Sequence, residues 1–153
     1  YGGYMAAWVL GHTDRFKCIV NHAGVSDFYT QYGGDTTNYL FTDEVLGGTP
    51  WKNVDAMQRN NPMFYAKNFK TPMLITHGEQ DYRVPYGNGL ELYGVLQAMG
   101  VPSRLLVYPN ENHWILSPQN SIYWNYEVQS WLARFLGGKP MEKPKFESVD
   151  KPE

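Results

Sequence analysis

Apolar and polar positions along the chain fall into short runs punctuated by glycine. Met5-Ala6-Ala7-Trp8-Val9-Leu10 is a helix-forming run with Gly11 as its natural stop. Phe16 to His22 reads as a short strand ended by Ala23-Gly24. Residues 25–62 are rich in Tyr, Gly, Thr and Asn and show no clear period. Loops with short helices are expected there, over Thr42 to Leu46 and Val54 to Arg59, and so long a stretch points to a functional loop region. Regularity then returns. Pro72 to Gly78 is a compact apolar strand closed by glycine. Leu90 to Met99 places Leu92, Val95, Leu96 and Met99 on one helical side, with Gly100 at the end. Ser103 to Pro109 reads as another strand, and Ser121 to Leu136 as a long helix with Trp124, Val128, Trp131, Leu132 and Phe135 at helical spacing. From Gly137 onward, Pro140, Pro144 and Pro152 sit amid alternating charges, which predicts an extended surface tail over 139–153.

Alternation of near-continuous apolar strands with helices predicts an α/β fold, a parallel sheet with helices on both faces. About three strands is a small sheet, and its open edge would be an association hazard. The chain therefore reads as the C-terminal part of a larger α/β unit. It shows no internal repeat.

Composition narrows the function classes. A length of 153 residues predicts one domain. Lys plus Arg number 13 and Asp plus Glu 15, a net charge of −2, which offers no basic footprint for nucleic acid. Hydrophobic residues make up 42%, enough for a packed core. No apolar run approaches the roughly 18 residues that span a bilayer, so no membrane partner is expected. The opening Tyr1-Gly2-Gly3-Tyr4 lacks the basic region of a signal peptide. One cysteine, Cys18, excludes an internal disulfide framework, and with four scattered histidines it makes a metal site unexpected. The compartment stays open on these grounds. Aromatics reach 16%, a density that suits either core packing or an aromatic-lined cleft.

Ligand sites in open α/β sheets gather at the carboxyl ends of the strands. Two polar residues fall there: Asp81, three residues after Gly78, and His113, four after Pro109. An Asp and then a His past consecutive strands match the last two members of a Ser…Asp…His chain order. The carboxylate would hold the imidazole in the right tautomer, and the imidazole would take a serine proton and pass it to the leaving group. The third member should sit on a G-x-S-x-G turn entering a helix. If a serine stood just before Tyr1, Tyr1-Gly2 would close that motif, Gly2 would supply the tight packing of the turn, and the Tyr1 N–H would be an oxyanion-hole donor. The sequence does not include that serine, so the chain alone is expected to be inactive. His12, His22, His77 and Cys18 read as structural, the Trp124–Phe135 stripe as core, and Glu111 receives no role despite lying close to His113.

Tyr1-Gly2-Gly3-Tyr4-Met5-Ala6, His77-Gly78-x-x-Asp81-x-Arg83-Val84-Pro85 and Glu111-Asn112-His113 together resemble the prolyl oligopeptidase family of serine peptidases, in particular its dipeptidyl peptidase and acylaminoacyl peptidase branches. The resemblance runs from Tyr1 to about Gly138. It implies the C-terminal portion of an α/β-hydrolase fold over 1–138, a nucleophilic serine immediately before Tyr1, and Asp81 and His113 as the other triad members. It also implies Arg83 as the group that contacts a substrate carbonyl, where a rigid fork of charged donors suits the task. Val25, Phe28 and Val84 match positions lining the pocket on the acyl side of the scissile bond, with Tyr1 flanking it. Phe28 stands where some members carry tryptophan. The implied partners are a peptide substrate and the N-terminal remainder of the same protein, a β-propeller and the upstream hydrolase strands. Family members often self-associate, so a homo-oligomer is allowed. No cofactor is needed. An esterase or other acyl hydrolase of the same fold and a non-catalytic interaction module remain as alternatives.

Overall fold

Strand β2 (Met73–Gly78) has no exposed residue along its length. It lies between β1 (Ile19–His22) and β3 (Ser103–Tyr108), and both neighbours run parallel to it, in the order β1-β2-β3. Ile19 pairs with Met73 and Ser103 with Met73, so all three strands start level; β1 ends opposite Thr76, two residues before the paired ends of β2 and β3 at Gly78 and Tyr108. The computed structural model describes residues 1–35, 43–44 and 46–146.

Side chains alternate across β2. Met73 and Ile75 face a core built with Ala7 and Leu10 of helix α1 (Gly2–His12), Ile19 of β1, and Leu92 and Leu96 of helix α4 (Gly87–Ala98), closed by Phe69 and Val101. Helices α2 (Phe28–Gly34) and α3 (Val54–Asn60) and a 3₁₀ helix (Pro62–Asn68) occupy the connection between β1 and β2. Thr76 points to the other face, where it meets Trp124 of helix α5 (Pro118–Leu136). Helices therefore cover both faces of a parallel sheet, as the apolar strands predict. The α5 stripe is only partly enclosed: Trp131 is buried, whereas Trp124, Val128, Leu132 and Phe135 are half-buried.

Several boundaries differ from the sequence expectation. Gly11 does not stop α1, which continues to His12. The glycine is there because the helix packs against Tyr65, whose Cβ would lie 2.7 Å from any Cβ at that position. β1 begins at Ile19 rather than Phe16, because Ile19 faces the first residue of β2 and nothing lies further along to pair with. α4 starts three residues before Leu90. Asn88 fixes that first turn: its Oδ1 accepts the Ser26 and Asp27 N–H groups at 3.0 and 3.1 Å. α5 starts at Pro118 rather than Ser121, a proline in the first turn, where a missing N–H costs nothing. Of the helix expected over 42–46, residues 42 and 45 lie outside the described residues. Beyond α5, residues 137–146 have no regular structure and are largely exposed.

Candidate active site

The parallel strands end at the same edge of the sheet and place three loops side by side. The loop after β2 turns at once, with Asp81 N–H bonded to the Gly78 carbonyl at 3.2 Å. Asp81 then folds its carboxylate back. Oδ1 accepts the N–H groups of Arg83 and Val84 at 2.9 and 2.8 Å, so the side chain is aimed by its own backbone. The loop after β3 crosses over it: Gln80 N–H donates to the Glu111 carbonyl at 3.0 Å. This crossing is possible because residue 78 is glycine. A Cβ there would run into the main chain of Glu111 and Asn112.

The crossing brings His113 to Asp81. Its Nδ1 lies 2.8 Å from Asp81 Oδ2. The carboxylate accepts, so Nδ1 is the protonated nitrogen, and in the neutral ring Nε2 holds the lone pair. The Asp81 side chain is fully buried, whereas His113 is 32% exposed. Burial alone pushes the Asp81 carboxyl up. The bonds from His77, the Val84 N–H and His113 together outweigh it and hold the carboxyl below its ordinary value. The group is therefore a carboxylate at neutral pH.

In front of His113 is a cleft of about 800 Å³, lined by Tyr1, Val25, Phe28, Arg83 and Val84 among others. All the residues that the resemblance implies therefore surround one cavity, with Asp81 directly behind His113. The Arg83 guanidinium is half-exposed and lies 3.6 Å from the buried Asp35 carboxylate. Tyr4 also lines the cleft and donates its hydroxyl proton to the Asn60 carbonyl at 2.9 Å; burial and the neighbouring Tyr1 and Tyr65 push it up to about 12, so it stays a neutral donor. A second cavity of about 560 Å³ lies at the opposite end of the sheet, between the start of β3 and α5. Its carboxylate, Glu127, is tied to Arg104 at 2.7 Å, and its lining includes no histidine or cysteine.

Tyr1 stands at the start of α1, with its backbone carbonyl bonded to Met5 N–H at 3.0 Å. Among the described residues, the close approach at this turn is made by Gly3. A Cβ on Gly2 meets nothing among the described residues, whereas one on Gly3 would collide with Gly24 and the His22 carbonyl. Asn21 at the end of β1 bonds the Gly3 carbonyl at 2.8 Å and fixes this approach. The start of α1 thus abuts the strand end beside the cleft.

Three residues set aside at the sequence level touch the site. His77, fully buried, donates its Nε2–H to the Val84 carbonyl at 2.8 Å and lies 3.3 Å from Asp81 Oδ2. His22 reaches the His113 carbonyl. Glu111, 3% exposed, accepts the Leu116 and Ser117 N–H groups at 2.9 and 3.1 Å and the Asn120 side-chain amide at 2.7 Å. Burial pushes the Glu111 carboxyl up, but these bonds outweigh it and hold it down to about 2. It ties the His113 loop to the start of α5. An acid shortly before a Pro-led helix was a usable signal for such a role. His12 and Cys18 lie away from the cleft, with His12 stacked on Trp8 at 3.8 Å.

A model of the prolyl oligopeptidase family matches residues 1–139. The chain is 39% identical over 137 residues to dipeptidyl-peptidase 5 of Schizosaccharomyces pombe, an alignment covering 88% of this chain and 20% of that protein. It is 37% identical over 141 residues to dipeptidyl-peptidase 5 of Porphyromonas endodontalis, covering 89% and 20%. Among solved structures, acylaminoacyl peptidase of Pyrococcus horikoshii superposes with a TM-score of 0.85 at 30% identity, over 96% of this chain and 24% of that one. The chain thus spans about a fifth of the length of the curated relatives it matches.

Proposed function

The chain belongs to the prolyl oligopeptidase family, and on that premise we propose that it carries the acid–base half of a serine peptidase site whose nucleophile is a serine immediately preceding Tyr1. The observation that supports this most is the 2.8 Å bond from His113 Nδ1 to a fully buried, doubly anchored Asp81 carboxylate. In the neutral ring that bond puts the proton on Nδ1 and the lone pair on Nε2, the arrangement a general base needs. The serine hydroxyl gives its proton to Nε2 as its oxygen attacks the substrate carbonyl. Asp81 fixes the tautomer and stabilises the imidazolium that forms. The Tyr1 N–H, at the start of α1, donates to the developing oxyanion. Nε2–H then protonates the leaving amine, and water hydrolyses the acyl-serine by the same route in reverse.

Arg83 contacts a substrate backbone carbonyl from the rim, and Asp35 limits where its guanidinium can swing. Val25, Phe28 and Val84 receive the side chain on the acyl side of the bond. Residues upstream of Tyr1 supply the second oxyanion donor and further strands of the sheet. The peptide preference is supported by the 37–39% identity to proteins named dipeptidyl-peptidase and by Arg83, a charged donor suited to an amide carbonyl. A side-by-side assay of the full-length protein on aminoacyl nitroanilides and short acyl esters tests it. Faster turnover of the nitroanilides is the expected result; preference for plain acyl esters would replace the peptidase with an esterase.

A further inference from the structure

Beside His113, at the wall of the same cleft, stands a second imidazole that the chemistry just described does not use. His22 ends β1 and faces Thr76, its register partner on β2. Its Nδ1 lies 2.8 Å from Thr76 Oγ1 and its Nε2 3.2 Å from the main-chain oxygen of His113. A carbonyl can only accept, so Nε2 carries the proton. In the neutral ring Nδ1 is then the acceptor, and the Thr76 hydroxyl donates to it. The Thr76 oxygen takes the Nε1–H of Trp124 at 3.0 Å. Indole is donor-only, which gives the whole series one direction: Trp124 to Thr76, Thr76 to His22, His22 to the backbone of His113. The His22 ring also stands edge-on to Trp124, centroids 5.7 Å apart and planes at 76°. Burial holds His22 below its ordinary value; His77 and His113 add to this, while the bond to the His113 carbonyl and the Asp81 charge oppose it. The ring is therefore uncharged at neutral pH, as the directed series requires.

Space-filling does not account for these groups. His113 sits in a partly exposed loop, where water can satisfy a carbonyl. A half-buried, singly protonated imidazole held at both nitrogens adds a fixed direction that water lacks. We propose that His22 is a positioning residue, one that locks the His113 main chain from the sheet side while Asp81 locks the ring from the neighbouring loop. Two strands and a helix thereby set where His113 Nε2 stands in the cleft. The proposal rests on the peptidase reading above, since it needs a reaction at His113.

The test uses full-length protein carrying His22→Phe, His22→Gln, Thr76→Val or His113→Ala, with kcat and KM on an aminoacyl nitroanilide, fluorophosphonate labelling rates and melting temperatures. His22→Phe keeps the ring contact with Trp124 and removes the donor. It should leave KM within about twofold and lower kcat and labelling about 10- to 100-fold, the scale of a misplaced catalytic group. His22→Gln, whose amide can donate to the His113 carbonyl and accept from Thr76, should recover most of that loss. Thr76→Val should lower kcat by a smaller factor, again at unchanged KM, and carries the test if His22→Phe does not fold. Wild-type kcat in both His22→Phe and Thr76→Val, or a glutamine variant no better than phenylalanine, overturns the proposal. Normal turnover by His113→Ala overturns the peptidase reading itself, and the proposal with it.

Discussion

Glu111, to which the sequence assigns no role, anchors the loop that carries His113. In Glu111→Gln one oxygen becomes an NH₂ group, which faces the donors that the carboxylate satisfied. Leu116 N–H, Ser117 N–H and the Asn120 amide then compete for a single acceptor. The fall of the Glu111 carboxyl from its ordinary 4.5 to about 2 corresponds at face value to about 3 kcal/mol. The group is covered by its own loop rather than by the sheet core, so screening by nearby solvent reduces this to about 1–2 kcal/mol. An unsatisfied backbone donor adds about 1 kcal/mol, for a total of at least about 2. The assay is amide exchange in peptides containing Leu116 and Ser117, in full-length wild type and variant. About 2 kcal/mol means about 30-fold lower protection at pH 7. Because the folded value is depressed, the contribution is fully present above pH 4.5 and shrinks as pH falls toward 2. Taking the difference between wild type and variant cancels Asp81, which titrates in the same direction. Equal protection at pH 7, or a gap that stays constant down to pH 3, refutes the reasoning.

Asp81→Asn keeps the shape of the site but presents an amide to His113 Nδ1, favouring the wrong tautomer; kcat should fall about 10³- to 10⁴-fold with little change in KM, measured on a nitroanilide. Gly78→Ala places a Cβ against the Glu111 and Asn112 main chain, so the His113 loop must move; kcat should drop by at least about tenfold while the overall circular dichroism is retained.

The parts of the fold that could be read from the chain are those where local pattern and burial agree. β2 is legible because Met73 to Gly78 is unbroken and closed by glycine, and all six residues are indeed buried. The start of α4 is not legible. Gly87-Asn88-Gly89 carries no helical signal, and the turn is held by Ser26 and Asp27, about sixty residues earlier. Gly11 misleads for the same reason: its partner, Tyr65, is distant in sequence. In the site, Asp81 and His113 stand out because chain order and strand ends place them. His22 and Glu111 do not. One acts through a neighbouring strand and a helix about a hundred residues away, and the other through backbone N–H groups, which leave no mark on residue type. Gly3 shows the limit most sharply, since its need for glycine depends on where Gly24 passes.

The central claim is that His113, held by Asp81, activates a serine that immediately precedes Tyr1. Labelling full-length wild-type and His113→Ala protein with a fluorophosphonate, followed by peptide mapping, tests it most directly. The account predicts a single label on the serine before Tyr1, with labelling at least about 100-fold slower in His113→Ala. A label on any other residue, or labelling unaffected by the loss of His113, would contradict it.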